Sequence, residues 1–152
     1  GYKCNMTDIQ AAIGLVELER YNENLGRRKT IFSTYEKAFS TESWAILPSH
    51  ANSEKTSSYH LYLLRINGIT EADRDAIIQE IFDQDVSVNV HFQPLPLLTA
   101  YKNLGYEISD YPVAHNKYQS EITLPVYYDL TDNQIQQVIN AVKNAVKKIR
   151  TA

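Results

Sequence analysis

The side chains in this chain best suited to chemistry are four histidines, His50, His60, His91 and His115, one cysteine, Cys4, and two serines, Ser57 and Ser58, just ahead of His60. Their spacing excludes more than it permits. A metal site needs several His, Cys or carboxylate ligands at close spacing, whereas these histidines are isolated and Cys4 has no partner, so no metal ligand set is assigned. Ser57 and Ser58 lack the nucleophile-elbow pattern and an oxyanion hole that would make a neighbouring His60 catalytic, and His60 reads instead as a polar side chain on a half-buried strand. The five glycines are scattered, which leaves neither a phosphate-cradling loop nor a dinucleotide fingerprint. His91 remains. It ends a segment in which Val86, Val88 and Val90 alternate, and it precedes a turn stiffened by Pro94 and Pro96, where a side chain is held firmly and can face a cleft. The eleven tyrosines read mostly as packing residues whose hydroxyls reach the surface.

Charge and composition narrow the function classes further. The 152 residues carry 15 basic and 18 acidic side chains, a net charge of -3 that gives no electrostatic reason to expect a nucleic-acid partner. Arg27, Arg28 and Lys29 read as the solvated face of a helix. With 43% apolar and 22% charged residues the chain has the make-up of an ordinary globular domain with a real core. A single cysteine forms no internal disulfide, which fits a reducing cytoplasm. No apolar run approaches the roughly 18 residues that would suggest a membrane span, and no secretory signal is visible, so no membrane partner is expected.

The elements that must position these residues follow from periodicity and caps. Thr7, Asp8, Ile9 and Gln10 have the form of a capping box, so a helix begins near Thr7. Its apolar residues, Ile9, Ala11, Ala12, Ile13, Leu15, Val16 and Leu18, are too many for one stripe and call for packing on two sides. A second helix runs from Glu23 to Phe39, with Leu25, Ile31, Phe32, Tyr35 and Phe39 on one face and a bend expected at Gly26. A short apolar run at residues 44–47, closed by Pro48, leads into a Ser-, Asn- and Thr-rich loop. Residues 59–66 read as a strand, and Thr70 can cap a helix over residues 72–84 with Ile77, Ile78, Ile81 and Phe82 buried. Residues 86–92 then read as a further strand. Short helices are expected near residues 97–104, ending at Gly105, and near residues 112–120. A short strand at residues 121–124 is stopped by Pro125, and Thr131 to Gln134 forms another capping box. It opens a helix in which Ile135, Val138, Ile139, Val142, Val146 and Ile149 recur every three or four residues. The expected fold is α/β: a small, mostly antiparallel sheet of about three strands covered by helices and preceded by a long helical segment.

Five segments in order resemble one family. They are Met6-Thr7-Asp8-Ile9-Gln10-Ala11-Ala12-Ile13-Gly14-Leu15, Ser58-Tyr59-His60-Leu61-Tyr62 with the strand after it, Val90-His91-Phe92-Gln93-Pro94-Leu95, Asp110-Tyr111-Pro112-Val113-Ala114, and Thr123-Leu124-Pro125-Val126. The series resembles the C-terminal part of the DegT/StrS family of pyridoxal-phosphate-dependent nucleotide-sugar aminotransferases. The resemblance implies that residues 1–24 close a large domain and link it to a small C-terminal domain, residues 25–152. It also implies a homodimer with shared active sites, an amino-acid donor expected to be glutamate, and a nucleotide-linked keto sugar as acceptor, feeding glycan biosynthesis. The cofactor, pyridoxal 5'-phosphate, is bound mainly by the large domain, which supplies the lysine and the acid. None of the nine lysines here is therefore the cofactor lysine, no catalytic residue is assigned, and the chain alone is expected to be inactive.

By the same resemblance, Lys3 and Asn5 contact the partner subunit's cofactor phosphate, and His91 lies near the nucleotide-sugar pocket. A cation and an amide both donate hydrogen bonds to a phosphate, which accepts them. Cys4 stands where the family usually has an aromatic residue, and the basic and amide positions are reversed in order, which leaves open which of the two touches the phosphate. Two other readings of the chain remain: a non-catalytic module of the same fold that binds a sugar nucleotide or a protein, and a pyridoxal-phosphate-dependent sugar dehydratase. A residue preceding Gly1 decides between the dehydratase and the aminotransferase.

Overall fold

A computed structural model describes residues 4–151 and shows an α/β architecture with six α-helices and one three-stranded sheet among those residues. Helix α1 (Asp8–Glu19) starts where the sequence requires: the Thr7 hydroxyl accepts the Gln10 N–H, and the Gln10 side chain accepts the Thr7 N–H. Each such cap satisfies donors that the first helical turn otherwise leaves unpaired. Helix α2 (Tyr21–Phe39) follows after a break at Arg20, so the bend lies there and not at Gly26. Gly26 sits within α2, where its cost of about 1 kcal/mol relative to alanine is spread over a 19-residue helix anchored by its buried residues Ile31, Phe32, Tyr35 and Phe39.

Strand β1 (Ala45–Ile46) is a two-residue strand inside the apolar run before Pro48. It pairs antiparallel with β2 (Tyr62–Ile66), which pairs antiparallel with β3 (Glu121–Leu124). The register sets Tyr62 opposite Leu124 and Leu64 opposite Ile122, so all four lie on one face of the sheet. This face is the core side. Tyr62, Leu64, Ile66, Ile122 and Leu124 are buried there with the apolar stripes of α2, α3 (Glu71–Phe82) and α6 (Asp132–Thr151). Fully burying each large side chain contributes about 1.5–3 kcal/mol. Ile135, Val138, Ile139, Val142 and Val146 of α6 are buried as their spacing predicts, and Thr131 makes the expected capping box. Arg27 of α2 bonds to Asp132 at 3.0 Å and to the carbonyl of Leu130, which ties α2 to the start of α6.

Three further expectations need correction. Thr70 caps α3 and Ile77 and Ile81 are buried, but Phe82, on the last turn, is 65% exposed. Arg74 occupies the buried stripe instead, held by Glu71, Asp75 and the Tyr118 carbonyl. Residues 86–92 do not form a regular strand, because only Asn89 completes a two-way backbone pairing, with Thr123 on β3. Alternation alone predicted a strand, but the residues on either side of Asn89 make no ladder bonds to β3. Finally, residues 59–61 precede β2, and Tyr59 there has a positive φ of 53° that no strand residue adopts. Between β2 and β3 lie two single-turn 3-10 segments and the short helices α4 (Thr99–Lys102) and α5 (Pro112–Tyr118).

Candidate functional site

The face of the sheet away from the core is set by the same register. Leu63 lies opposite Thr123 and Arg65 opposite Glu121. Glu121 and Thr123 are only 6% and 5% exposed, an unusual environment for a carboxylate and a hydroxyl unless both are hydrogen-bonded. They are. Thr123 Oγ1 donates to Glu121 Oε1 at 2.6 Å, and the same oxygen accepts the His91 N–H at 3.3 Å. The His91 ring then closes the set, with Nδ1 2.9 Å from Thr123 Oγ1. The Asn89 pairing with Thr123 is what brings this distant segment alongside β3.

His91 is half-buried and lines a cleft of about 260 Å³ together with His60, Ser87, Asn89, Thr123 and Val126. His60 is exposed on its rim, not set on a half-buried strand, because β2 begins two residues later. The structure thus brings together His91 and His60, two histidines that the sequence treats separately. Asn5 is exposed ahead of α1 and is not among the residues lining this cleft, while Lys3 lies outside the described residues. Sequence reasoning missed Glu121 and Thr123. The available signal was their i, i+2 spacing on a strand whose alternate residues, Ile122 and Leu124, are apolar.

Two further clefts flank the core. One, of about 370 Å³, follows the His91 turn and is lined by Pro94, Leu95, Pro96, Tyr101, Tyr106 and Tyr111. The other, of about 320 Å³, contains His50, whose ring packs against Phe32, Tyr59 and Tyr62 at centroid distances of 4.7, 6.1 and 5.7 Å. Burial lowers the His50 pKa from its ordinary value, with Glu36 opposing the shift, and burial raises that of Tyr62. Among the described residues, no group of three or more His, Cys, Asp or Glu side chains is placed to hold a metal ion. No described helix is long and apolar enough to cross a membrane.

A family model described as the DegT/DnrJ/EryC1/StrS aminotransferase family matches residues 1–143. The chain superposes on the apo form of a putative sugar aminotransferase, Spr1654, from Streptococcus pneumoniae. The TM-score is 0.95 at 43% identity, over 99% of this chain and 38% of that one, and the same protein has been solved in PMP and PLP forms. Among curated relatives, the spore coat polysaccharide biosynthesis protein SpsC of Bacillus subtilis is 33% identical over 97% of this chain and 38% of its own length. A GDP-perosamine synthase of Vibrio cholerae is 27% identical over 94% of this chain and 38% of its own length. The chain therefore spans about two fifths of the length of the relatives it matches.

Proposed function

The chain belongs to the DegT/DnrJ/EryC1/StrS aminotransferase family, and on that premise we propose that it is the C-terminal part of a pyridoxal-phosphate-dependent enzyme that transfers an amino group, from glutamate, to a nucleotide-linked keto sugar. The whole enzyme works as a cytoplasmic homodimer and supplies amino sugars for glycan assembly. Residues 1–24 close the large domain and residues 25–152 form the small one. What supports this division is that no residue of α1 is buried, whereas α2 packs on the core from Leu25 onward.

When bound, pyridoxal phosphate supplies a carbonyl that takes the amino group from the donor and passes it to the ketone. The described residues suit the phosphate edge of this cofactor and not its ring. Asn5 is an exposed amide donor just ahead of α1, fitted to a phosphate oxygen. Of the clefts described above, only that beside His50 has both a lysine and a carboxylate on its wall, Lys29 and Glu36, and Lys29 is exposed to solvent there. The chain by itself is accordingly inactive. Lys3 and Asn5 reach the cofactor phosphate of the partner subunit, while His91, held in the cleft beside β3, binds the sugar nucleotide.

The observation that carries the reading is the family match over residues 1–143, together with a firmly held His91 on a cleft. Incubating the whole protein with pyridoxal phosphate, glutamate and nucleotide-linked keto sugars tests it, with amino-sugar product and 2-oxoglutarate formed in equal amounts as the expected result. Asn5→Ala should weaken cofactor retention by about 1.5–3 kcal/mol, and His91→Ala should raise KM for the sugar nucleotide with cofactor retention intact. A whole protein that binds the cofactor yet transfers nitrogen to none of these sugars contradicts the reading.

A further inference from the structure

We infer that Glu121 and Thr123 are positioning residues that hold the neutral His91 ring with its hydrogen on Nδ1, so that Nε2 accepts a hydrogen bond from a sugar hydroxyl of the substrate. The choice of a sugar hydroxyl rests on the function proposed above. The hydrogen on Nδ1 rests on the geometry alone, and the bare Nε2 is part of the inference.

The argument is one of donors and acceptors. Thr123 Oγ1 carries a single hydrogen, and at 2.6 Å it gives that hydrogen to Glu121 Oε1, which also accepts the backbone N–H of His91. With its hydrogen committed, the hydroxyl meets the His91 ring 2.9 Å away as an acceptor. The ring nitrogen facing it must therefore be the donor, which puts the hydrogen on Nδ1. Among the described residues Nε2 makes no hydrogen bond, and in the neutral ring it is left with a lone pair. A lone pair recognises a donor. A hydroxyl of a sugar ring fits it, whereas a phosphate oxygen would need the hydrogen on Nε2.

Burial makes this arrangement exacting. Glu121 and Thr123 are almost fully enclosed, so a broken relay leaves a carboxylate and a ring nitrogen short of partners with little water to replace them. The device also spans the fold: Glu121 and Thr123 belong to β3, and His91 is brought to them only through the Asn89 pairing. The position of a cleft residue and the placement of its Nδ1 hydrogen are thus set by the strand beneath it.

The test uses the whole protein labelled with 15N-histidine, with the His91 signals assigned by their loss in His91→Gln. The expected wild-type result is a protonated Nδ1 and an unprotonated Nε2. Thr123→Val, which keeps the shape and removes the hydroxyl, should lower the ratio of the Nδ1–H to the Nε2–H form about fivefold, and Thr123→Ser should restore it. In turnover assays Thr123→Val should raise KM for the sugar nucleotide about fivefold with kcat little changed, and should add nothing further in a His91→Ala background. A wild-type ring with a hydrogen on Nε2, whether alone or beside one on Nδ1, overturns the inference, as does a ring unaltered by Thr123→Val, and the wild-type spectrum gives that answer even if the valine variant fails to fold. An unchanged KM in His91→Ala overturns the sugar contact while the spectra still report on the relay, so the two failures are told apart.

Discussion

Helices α1 and α6 both begin with a Thr-x-x-Gln capping box, yet one leaves every residue unburied and the other buries seven. The difference lies in how each arranges its apolar side chains. Those of α6 recur along one stripe, and the chain's own sheet, α2 and α3 cover that stripe from Ile135 to Val146, with Ile149 partly buried at its end. In α1 they point in all directions, and Ile9, Ile13 and Val16 remain 75%, 61% and 54% exposed. A 12-residue helix with little tertiary support is marginal in water. The comparison teaches that periodicity reports where the covering surface comes from: a stripe is answered within the chain, and an all-round apolar surface is answered from outside it. In the function proposed here, the large domain and the partner subunit cover α1.

Charge insertion should break the symmetry between the two helices most strongly. Val142→Asp places a carboxylate in the α6 stripe at a fully buried position among apolar core residues, and should cost more than about 4 kcal/mol in the 152-residue chain. Ile13→Asp in the same chain should change stability by no more than about 0.5 kcal/mol, because the residue already faces water. Denaturant melts of the two variants measure the difference. Equal losses would mean that α1 is packed in solution.

The caps provide a smaller and sharper contrast. Thr131→Ala removes the cap of a helix that belongs to the cooperative core and should cost about 1 kcal/mol of global stability. Thr7→Ala removes the same chemistry from α1 and should lower helicity without moving the main transition, as circular dichroism against a core fluorescence probe would show.

A still smaller effect separates the core from α1 by pH. Burial depresses the folded-state pKa of His50, so its contribution to stability is present above the unfolded value of about 6.5 and is lost as the pH falls through the folded-state pKa. Wild-type Tm should therefore fall more between pH 7.5 and 5.5 than that of His50→Gln, with the helicity of α1 contributing nothing to the difference. Parallel Tm curves for the two proteins would remove His50 from the account.

What the sequence made legible was local. Thr7, Thr70 and Thr131 each bond to a residue three positions on, and such short-range chemistry is visible in the order of residues. The stripe of α6 and the strand at residues 121–124 were visible for the same reason, as was the resemblance that pointed to His91. What stayed hidden was long-range. Residues 86–92 alternate like a strand, but whether they pair depends on β3, thirty or so residues away, and only Asn89 does so. The burial of Arg74 depends on the Tyr118 carbonyl arriving from α5. Glu121 and Thr123 read as two polar residues on a short strand until the register places His91 over them.

The central claim, that α1 is completed by protein beyond the core this chain builds, is tested most directly by cysteine labelling at position 13. In a Cys4→Ser background, Ile13→Cys should react with a thiol reagent at close to the rate of an unfolded control in the 152-residue chain. In the whole protein it should be protected by at least about a hundredfold. Protection in the 152-residue chain alone, or equally fast labelling in both, would contradict the account.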